Sequence, residues 1–267
     1  MTRRRLVAAA FLAAAACASA LHEPAPVGTM APGAGGGRSA DALVAEADAA
    51  WSRRADPRQA EVAQGLYLDA AAADERRTDA VLGAMRALTF RLERERDGDV
   101  RGKLAAQQVE LGQWCQRRAP AEPSCDYRLA IALGQQARER PSTGRDALGK
   151  MVDLLKKAIA AAPALDAAGP HRVYAILLLR APAWPVGPGD PEAALAEARA
   201  AAKLFPDAPE NQLALAEALA RNDAPAEARS AYQRALALAT AARDAGDPEA
   251  ERLRAEAAKG LEGTRGG

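Results

Sequence analysis

The chain has 267 residues, with 36 Lys or Arg and 35 Asp or Glu, so its formal net charge is +1. This near balance, with only two histidines, excludes the basic surplus that nucleic-acid-binding proteins carry. Hydrophobic residues make up 49% of the chain but aromatic residues only 4%, and alanine is the most frequent residue. Runs of β-branched and aromatic residues with a period of two are absent, which argues against a β fold and favours closely packed helices.

The N-terminal segment has the pattern of a secretion signal. Three arginines at positions 3–5 precede an apolar run at 6–16 that is about half as long as a membrane-spanning helix. Two cleavage sites compete. Small residues before Cys17 favour lipoprotein processing with Cys17 acylated, whereas the Ala-Ser-Ala sequence at 18–20 suits ordinary signal peptidase. We expect the lipoprotein alternative, with residues 1–16 removed as a lipoprotein signal peptide, because a linker follows and Cys17 would otherwise be discarded.

Residues 17–40 are rich in Pro, Gly and Ala and lack a periodic apolar pattern. They predict a flexible tether that would let the domain float about 25 Å from a lipid anchor. Ala18 after Cys17 is not an acidic inner-membrane retention residue, so we expect a periplasmic protein anchored in the outer membrane rather than the inner one. The folded domain is expected at 41–260, followed by a disordered tail at 261–267.

Apolar periodicity and turn signals predict five helical hairpins along the domain. The helices are expected at 43–54 and 58–73, 78–94 and 100–117, 126–140 and 146–162, 169–179 and 191–205, with the fifth pair inside 209–240. A charged helix at 249–260 is predicted to cap the last hairpin.

Two further cysteines, Cys115 and Cys125, lie ten residues apart around Pro120 and Pro123. In an oxidising periplasm we expect a disulfide, which for a loop of this size stabilises the fold by about 3 kcal/mol. The alternatives are two buried free thiols or a metal site. No His or additional Cys lies nearby to complete a set of metal ligands, so no metal is expected.

The stretch 209–240 carries the clearest repeat pattern. One face of each of its two helices combines alanines, which let backbones approach, with larger side chains that fill the gaps: Leu215, Ala216, Leu219, Ala228, Tyr232 and Ala235. Related spacings recur at Ala63, Tyr67, Ala70, Ala194, Ala201 and Pro206. The pattern resembles the tetratricopeptide repeat, with Gln212 where the template has Trp. We predict an all-α tetratricopeptide-like helical-hairpin solenoid of about five hairpins plus a C-terminal capping helix.

The loop at 181–190 contains three prolines, two glycines and Trp184, where a repeat normally has a tight turn. Such a loop could rim a pocket, or Trp184 could cap the core of its own repeat. If the solenoid holds a ligand channel, large residues are expected to line its groove: Trp51, Trp114, Tyr127, His171, Tyr174 and Trp184. The alternative for the five aromatic residues is a place in the core, because a stack with few aromatic residues needs them for packing. The alternative for His171 is a partly exposed residue of a capping turn.

No recognisable catalytic pattern occurs in the sequence. His171 lies at a helix start without a neighbouring nucleophile, and no phosphate-binding glycine loop, zinc-protease motif or calcium loop is present. We therefore predict that the protein is not an enzyme and needs no cofactor. An envelope hydrolase built around His171 is the remaining catalytic alternative.

Four short motifs follow one another along the domain: YRLAIALG at 127–134, GPHR at 169–172, a proline-rich loop ending in GD at 189–190, and PENQLALAEAL at 209–219. Their order resembles the T component of TRAP transporters, a family of periplasmic tetratricopeptide-repeat lipoproteins. The family usually carries Trp after the Tyr of the first motif, where this chain has Arg128.

The resemblance covers roughly residues 42–240. It implies an accessory protein that docks the extracytoplasmic solute-binding protein of the transporter and that can hold a hydrophobic small ligand in a channel. A general envelope scaffold for protein assembly is the alternative function. No nucleic-acid partner is expected under either function.

Overall fold

The computed structural model describes residues 19–33 and 36–264. In these residues twelve α-helices and one 3-10 turn are present, and no β-strand. The helices are α1 (Val27–Met30), α2 (Ala40–Ser52), α3 (Pro57–Ala73), α4 (Thr78–Leu92), α5 (Gly98–Arg118), α6 (Pro123–Glu139), α7 (Gly144–Ala161), α8 (Leu165–Arg180), α9 (Pro191–Leu204), α10 (Pro209–Arg221), α11 (Pro225–Asp244) and α12 (Ala250–Gly263). No helix in the described part of the chain is both long and apolar enough to cross a membrane. The predicted signal peptide and Cys17 lie outside the described residues.

Successive helices pack as hairpins. The pairs are α2 with α3, α4 with α5, α6 with α7, α8 with α9, and α10 with α11, and α12 packs on α11 and α10. The predicted all-α hairpin solenoid with a terminal capping helix is therefore confirmed. The capping helix continues to Gly263, so residues 261–263 of the predicted disordered tail are helical.

Proline and acidic side chains mark where the helices begin. Five helices, α3, α6, α9, α10 and α11, have proline at their first position, where its fixed φ suits the helix and its missing N–H costs no hydrogen bond. Carboxylates of Asp56, Asp97 and Asp190 accept hydrogen bonds from backbone N–H groups of the first turn. These signals explain why the helix starts could be predicted closely.

Alanine and glycine set the spacing between neighbouring helices. The alanines of the repeat pattern are fully buried, while Leu215 is half-buried and Pro206 is exposed. The ring of Tyr67 on α3 occupies the space where a Cβ on Gly83 of α4 would lie, at 2.7 Å. Tyr232 on α11 fills the corresponding space at Gly260 of α12. Glycine is thus required at these contacts, because any larger residue would push the helices apart.

Residues 19–33 of the predicted flexible tether lie instead against the outer side of the domain. We call residues 19–33 the N-terminal strap. Ala20 and Val27 are buried, at 0% and 3% exposure, in the same hydrophobic cluster as the helices. The Ala20 N–H donates to Asp146 Oδ2 on α7 across 2.7 Å, and Trp114 Nε1 on α5 donates to the Ala25 carbonyl across 2.6 Å. Burial and these hydrogen bonds offset the entropy that a free segment would keep.

A disulfide joins the end of α5 to the start of α6. The sulfur atoms of Cys115 and Cys125 are bonded in the structure, and both residues are buried. The bridge closes the turn that contains Pro120 and fixes the angle at which the third hairpin follows the second.

Candidate binding cavity

A cavity of about 1360 Å³ lies on the inner side of the solenoid. Helices α4, α6, α8, α10 and α12 supply most of its lining, with contributions from the first half of α7 and from Trp51 of α2. Its apolar lining includes Ile131, Met151, Ile176, Leu177 and Leu213. The repeat geometry explains the position of the cavity, because stacked hairpins place the first helix of each pair on the concave side.

Two helices present the same order of side chains to the cavity. On α6, Arg128 and Arg138 flank Ile131, and on α8, Arg172 and Arg180 flank Ile176. A spacing of three or four residues and its multiples keeps such side chains on one helix face. Each helix therefore offers an apolar centre with an arginine at either end, and the ten residues from Arg128 to Arg138 place their Cα atoms about 15 Å apart along α6.

The charge of the lining is uneven. Among the described residues the cavity has nine cationic and six anionic side chains, a surplus of three, although the whole chain carries only +1. The α6, α7 and α8 part, which we call the arginine wall, has five cations and one anion: Arg128, Arg138, Arg145, Arg172, Arg180 and Asp166. The α10 and α12 part has four anions and two cations: Glu210, Glu217, Glu249, Glu256, Arg252 and Lys259.

Asp166 is held at the arginine wall by three neighbours. The Tyr127 hydroxyl donates to Asp166 Oδ2 across 2.7 Å, and guanidinium nitrogens of Arg128 and Arg172 lie 3.6 and 3.8 Å from the same oxygen. Burial opposes ionisation of this carboxyl. The pKa of Asp166 is nevertheless held below its usual range by the charge of Arg128, by the hydrogen bond from Tyr127, and by the charges of Arg172 and Arg86. Asp166 is therefore an ionised carboxylate at neutral pH.

A left-handed turn positions this carboxylate. Asp166, Ala167 and Ala168 have φ values of 50°, 52° and 62°, a conformation in which L-residues are disfavoured. The buried Asn211 side chain supports the turn by donating to the Ala167 carbonyl across 2.9 Å and accepting from Arg172 across 2.8 Å. Strain in such a turn persists only where surrounding contacts hold it, as they do here.

Trp51 forms an aromatic and cationic cluster at the first hairpins. Its ring meets Phe90 edge-on with 5.5 Å between centroids, and the guanidinium groups of Arg54 and Arg86 lie 4.8 and 4.7 Å from its centroid. Arg86 also donates to the Tyr67 hydroxyl across 3.2 Å. Cation–π contacts of this kind hold the two guanidinium groups against the aromatic rings.

The last helix returns to the second hairpin and closes the ring of helices. Arg94 Nη2 donates to the Pro248 carbonyl across 3.0 Å, and Arg252 lies 3.7 Å from Glu93. Arg54 lies 3.7 Å from Glu249. Burial and the neighbouring Glu93 raise the pKa of Glu249 above its usual value despite Arg54. These contacts join residues far apart in the sequence.

The structure brings together only two of the six predicted groove residues. Trp51 and Tyr127 line the cavity, as does Arg128 beside Tyr127. Trp114 lies on the outer side, under the N-terminal strap, and Tyr174 is buried outside the lining. Their places differ from the prediction because each lies on a helix face turned away from the cavity.

Trp184 and His171 also lie away from the cavity. The Trp184 side chain is 86% exposed, so it neither lines the cavity nor caps a core, although its loop neighbours Pro182 and Val186 reach the cavity rim. His171 Nδ1 lies 2.6 Å from Glu197 Oε2 of α9. This contact ties α8 to α9 and directs the imidazole away from the arginine wall.

The arginines were the residues that sequence reasoning missed. The signal was present, since Arg128 and Arg138 share a helix face with Ile131, and Arg172 and Arg180 share one with Ile176. The sequence prediction named only large aromatic residues and His171 as lining and no arginine. Within the described residues no group of three His, Cys, Asp or Glu side chains is placed to hold a metal ion.

Comparisons with known proteins agree with this architecture. A solved structure described as a thermophilic TPR protein of Thermus thermophilus superimposes with a TM-score of 0.59 at 20% sequence identity, over 84% of this chain and 99% of that one. The chain has the tetratricopeptide-repeat fold. No protein-family model and no curated protein matches the sequence. The likeness is one of fold alone.

Proposed function

We propose that the protein is a non-catalytic adaptor that receives a segment of a partner protein in its inner cavity. The observation that carries the proposal is the cavity itself, which has an apolar floor, a charged rim and a volume of about 1360 Å³. Small-molecule sites typically enclose roughly 300–1,000 Å³. The larger volume on the concave side of a repeat fold suits a peptide segment or a helix.

The specific role we propose is that of the accessory T component of a TRAP-type uptake system, which docks the extracytoplasmic solute-binding protein. The order of the motifs at 127–134, 169–172, 189–190 and 209–219 supports this role. All four motifs contribute cavity residues, since the lining includes Tyr127, Arg172, Pro182 of the proline-rich loop and Leu213. In this proposal Cys17 is acylated and holds the protein in the periplasm, at the outer membrane. Globomycin treatment should then accumulate the unprocessed precursor.

The test is affinity capture of the tagged full-length protein from its own cell envelope after mild crosslinking, followed by mass spectrometry. Recovery of an extracytoplasmic solute-binding protein supports the transport role. A cavity-filling variant, Ile131→Trp with Ile176→Trp, should lose that partner. The matched control is Leu204→Trp, because Leu204 is 45% exposed and lies outside the cavity.

The second candidate function is a general envelope scaffold. It is favoured by the mixed apolar and charged lining, which could accept segments from several proteins. Capture of assembly or secretion machinery without a solute-binding protein, again lost in the cavity-filling variant, would favour the scaffold. Capture that the cavity-filling variant leaves unchanged would count against both roles.

A further inference from the structure

We infer that the occupant of the cavity is an acidic amphipathic segment of a partner protein, bound with its carboxylates on the arginine wall. This inference rests on the proposed adaptor function and names the chemistry of the segment. Three observations support it: two arginines without carboxylate partners, the spacing of arginines and apolar side chains on α6 and α8, and the volume of the cavity.

The arginine wall has cations without internal partners. Arg180 pairs with Glu217 at 3.3 Å, and Arg128 and Arg172 share Asp166. Among the described residues no carboxylate lies within 4 Å of Arg138 or Arg145, although both line the cavity. These two guanidinium groups are therefore free to pair with carboxylates from another molecule, and they carry much of the cavity's positive surplus.

The apolar centre of the wall calls for an amphipathic occupant rather than a uniformly charged one. Ile131, Ile176 and Leu177 lie between the arginines at the two ends of α6 and α8. A segment with apolar residues in the middle would bury them against these side chains, and carboxylates at its ends would pair with the arginines. Arg128 and Arg138 are ten residues apart on α6, so carboxylates spaced by about 15 Å would match their positions along the helix.

The volume fits a helical segment. A cylinder with the roughly 10 Å diameter of an α-helix would need a length of about 17 Å, or about three turns, to fill 1360 Å³. Gln135, which is 5% exposed and lines the cavity, has a buried Oε1 atom without a hydrogen-bond partner. Buried polar atoms are normally paired, so a donor from the occupant would complete this site.

The α10 and α12 side of the cavity determines how the bound segment is oriented. Glu210 on α10 has no cationic partner within 4 Å among the described residues, and α10 and α12 carry more anions than cations. An acidic face would be repelled there and attracted to the arginine wall. The occupant is thus placed with its carboxylates toward α6 and α8.

Fluorescence anisotropy with three labelled peptides tests this inference on the full-length protein. Each twelve-residue peptide has the same leucine face, and the polar face carries glutamate, glutamine or lysine. We expect the glutamate peptide to bind at least about tenfold more tightly than the glutamine peptide, equivalent to about 1.4 kcal/mol. Added salt should weaken its binding. A photo-crosslinker in the peptide should label α6 to α8.

Charge reversal locates the site. Arg138→Glu with Arg145→Glu should weaken binding of the glutamate peptide by about tenfold or more. Arg58→Glu with Arg229→Glu, a matched change at two exposed arginines outside the cavity, should alter it less than about twofold. All four side chains are exposed, so both variants should keep the wild-type circular dichroism spectrum. Equal affinity for glutamate and glutamine peptides, or equal weakening by both variants, overturns the inference.

The two levels of the proposal fail separately. If a partner is captured from the envelope and Arg138→Glu with Arg145→Glu retains it fully, the acidic segment is wrong and the adaptor function stands. If no partner is captured but the glutamate peptide binds the arginine wall, the acidic-segment chemistry stands and the adaptor function fails.

Discussion

Tyr127 donates its hydroxyl proton to Asp166 across 2.7 Å, which joins the first helix of the third hairpin to the turn that starts the fourth. The tyrosine is 1% exposed, so water does not replace this hydrogen bond. The same carboxylate attracts Arg128 and Arg172. The buried Tyr127–Asp166 hydrogen bond thus holds two repeats together and fixes the carboxylate that lies beside two arginines of the arginine wall.

Removing the hydroxyl should weaken the fold. Tyr127→Phe loses a hydrogen bond to a charged acceptor and should lower the free energy of unfolding by about 1.5–3 kcal/mol. Urea denaturation followed by circular dichroism measures the change. Tyr174→Phe is the control, because Tyr174 is also buried but no hydrogen bond of its hydroxyl occurs in the described structure. Equal losses for the two variants would contradict the role given to Tyr127.

Acid should remove the contribution of Asp166. Its pKa is lower in the folded state than the ordinary value near 3.9, so its stabilisation is complete above that value. It is lost as the pH falls through the lower folded pKa. Asp166→Asn should therefore be less stable than the wild type at about pH 7, and the difference should shrink below about pH 4 in urea titrations. A difference that is constant with pH would argue against an ionised Asp166.

Glu249 should show the opposite dependence. Its pKa is raised, chiefly by burial and then by Glu93, so the ionised form is disfavoured in the folded state. The destabilisation is complete above the raised pKa, shrinks as the pH falls through it and is absent below the ordinary value. Glu249→Gln should be at least as stable as the wild type at about pH 7, and any advantage should vanish by about pH 4. An advantage that grows in acid would refute this assignment.

Close helix contact makes glycine at position 83 necessary. Gly83→Ala places a Cβ 2.7 Å from the Tyr67 ring and should destabilise the protein by about 1–3 kcal/mol. Gly102→Ala, on α5 with no atom within 4 Å of the added Cβ, should instead stabilise by up to about 1 kcal/mol. Thermal unfolding midpoints of the pair should move in opposite directions. An increase of both midpoints would mean that the Tyr67 ring moves to make room for the added methyl group.

The N-terminal strap should detach when a charge is introduced beneath it. Val27→Asp buries a carboxylate in the apolar contact between α1 and the outer helices, so the strap should become sensitive to protease and α5 should exchange amide hydrogens faster. Gly28→Asp, the next residue and an exposed one, should leave both unchanged. Equal protease sensitivity in the two variants would indicate that the strap does not stay docked.

Local signals explain why the hairpins could be predicted from the sequence. Alanine spacing, proline at helix starts and the turn before Pro225 are all encoded within a few residues. The strap lacked such a signal, because its buried residues, Ala20, Pro24 and Val27, lie in a Pro-, Gly- and Ala-rich segment without a periodic apolar pattern.

The cavity depended on contacts that sequence spacing does not reveal. Arg94 meets the Pro248 carbonyl 154 positions later, and that contact closes the ring of helices. The aromatic residues expected in the groove pointed elsewhere, since Trp114 holds the strap and Trp184 is exposed. Arginines with apolar neighbours at helical spacing were the better guide to the lining.

The central claim is that a partner segment occupies the inner cavity. Hydrogen-exchange mass spectrometry of the full-length protein, alone and with the solute-binding protein captured from its envelope, tests it most directly. We predict slower exchange in α6, α8 and α10 when the partner is bound, with little change in the outer helices α3, α9 and α11. Slower exchange confined to those outer helices would contradict the claim.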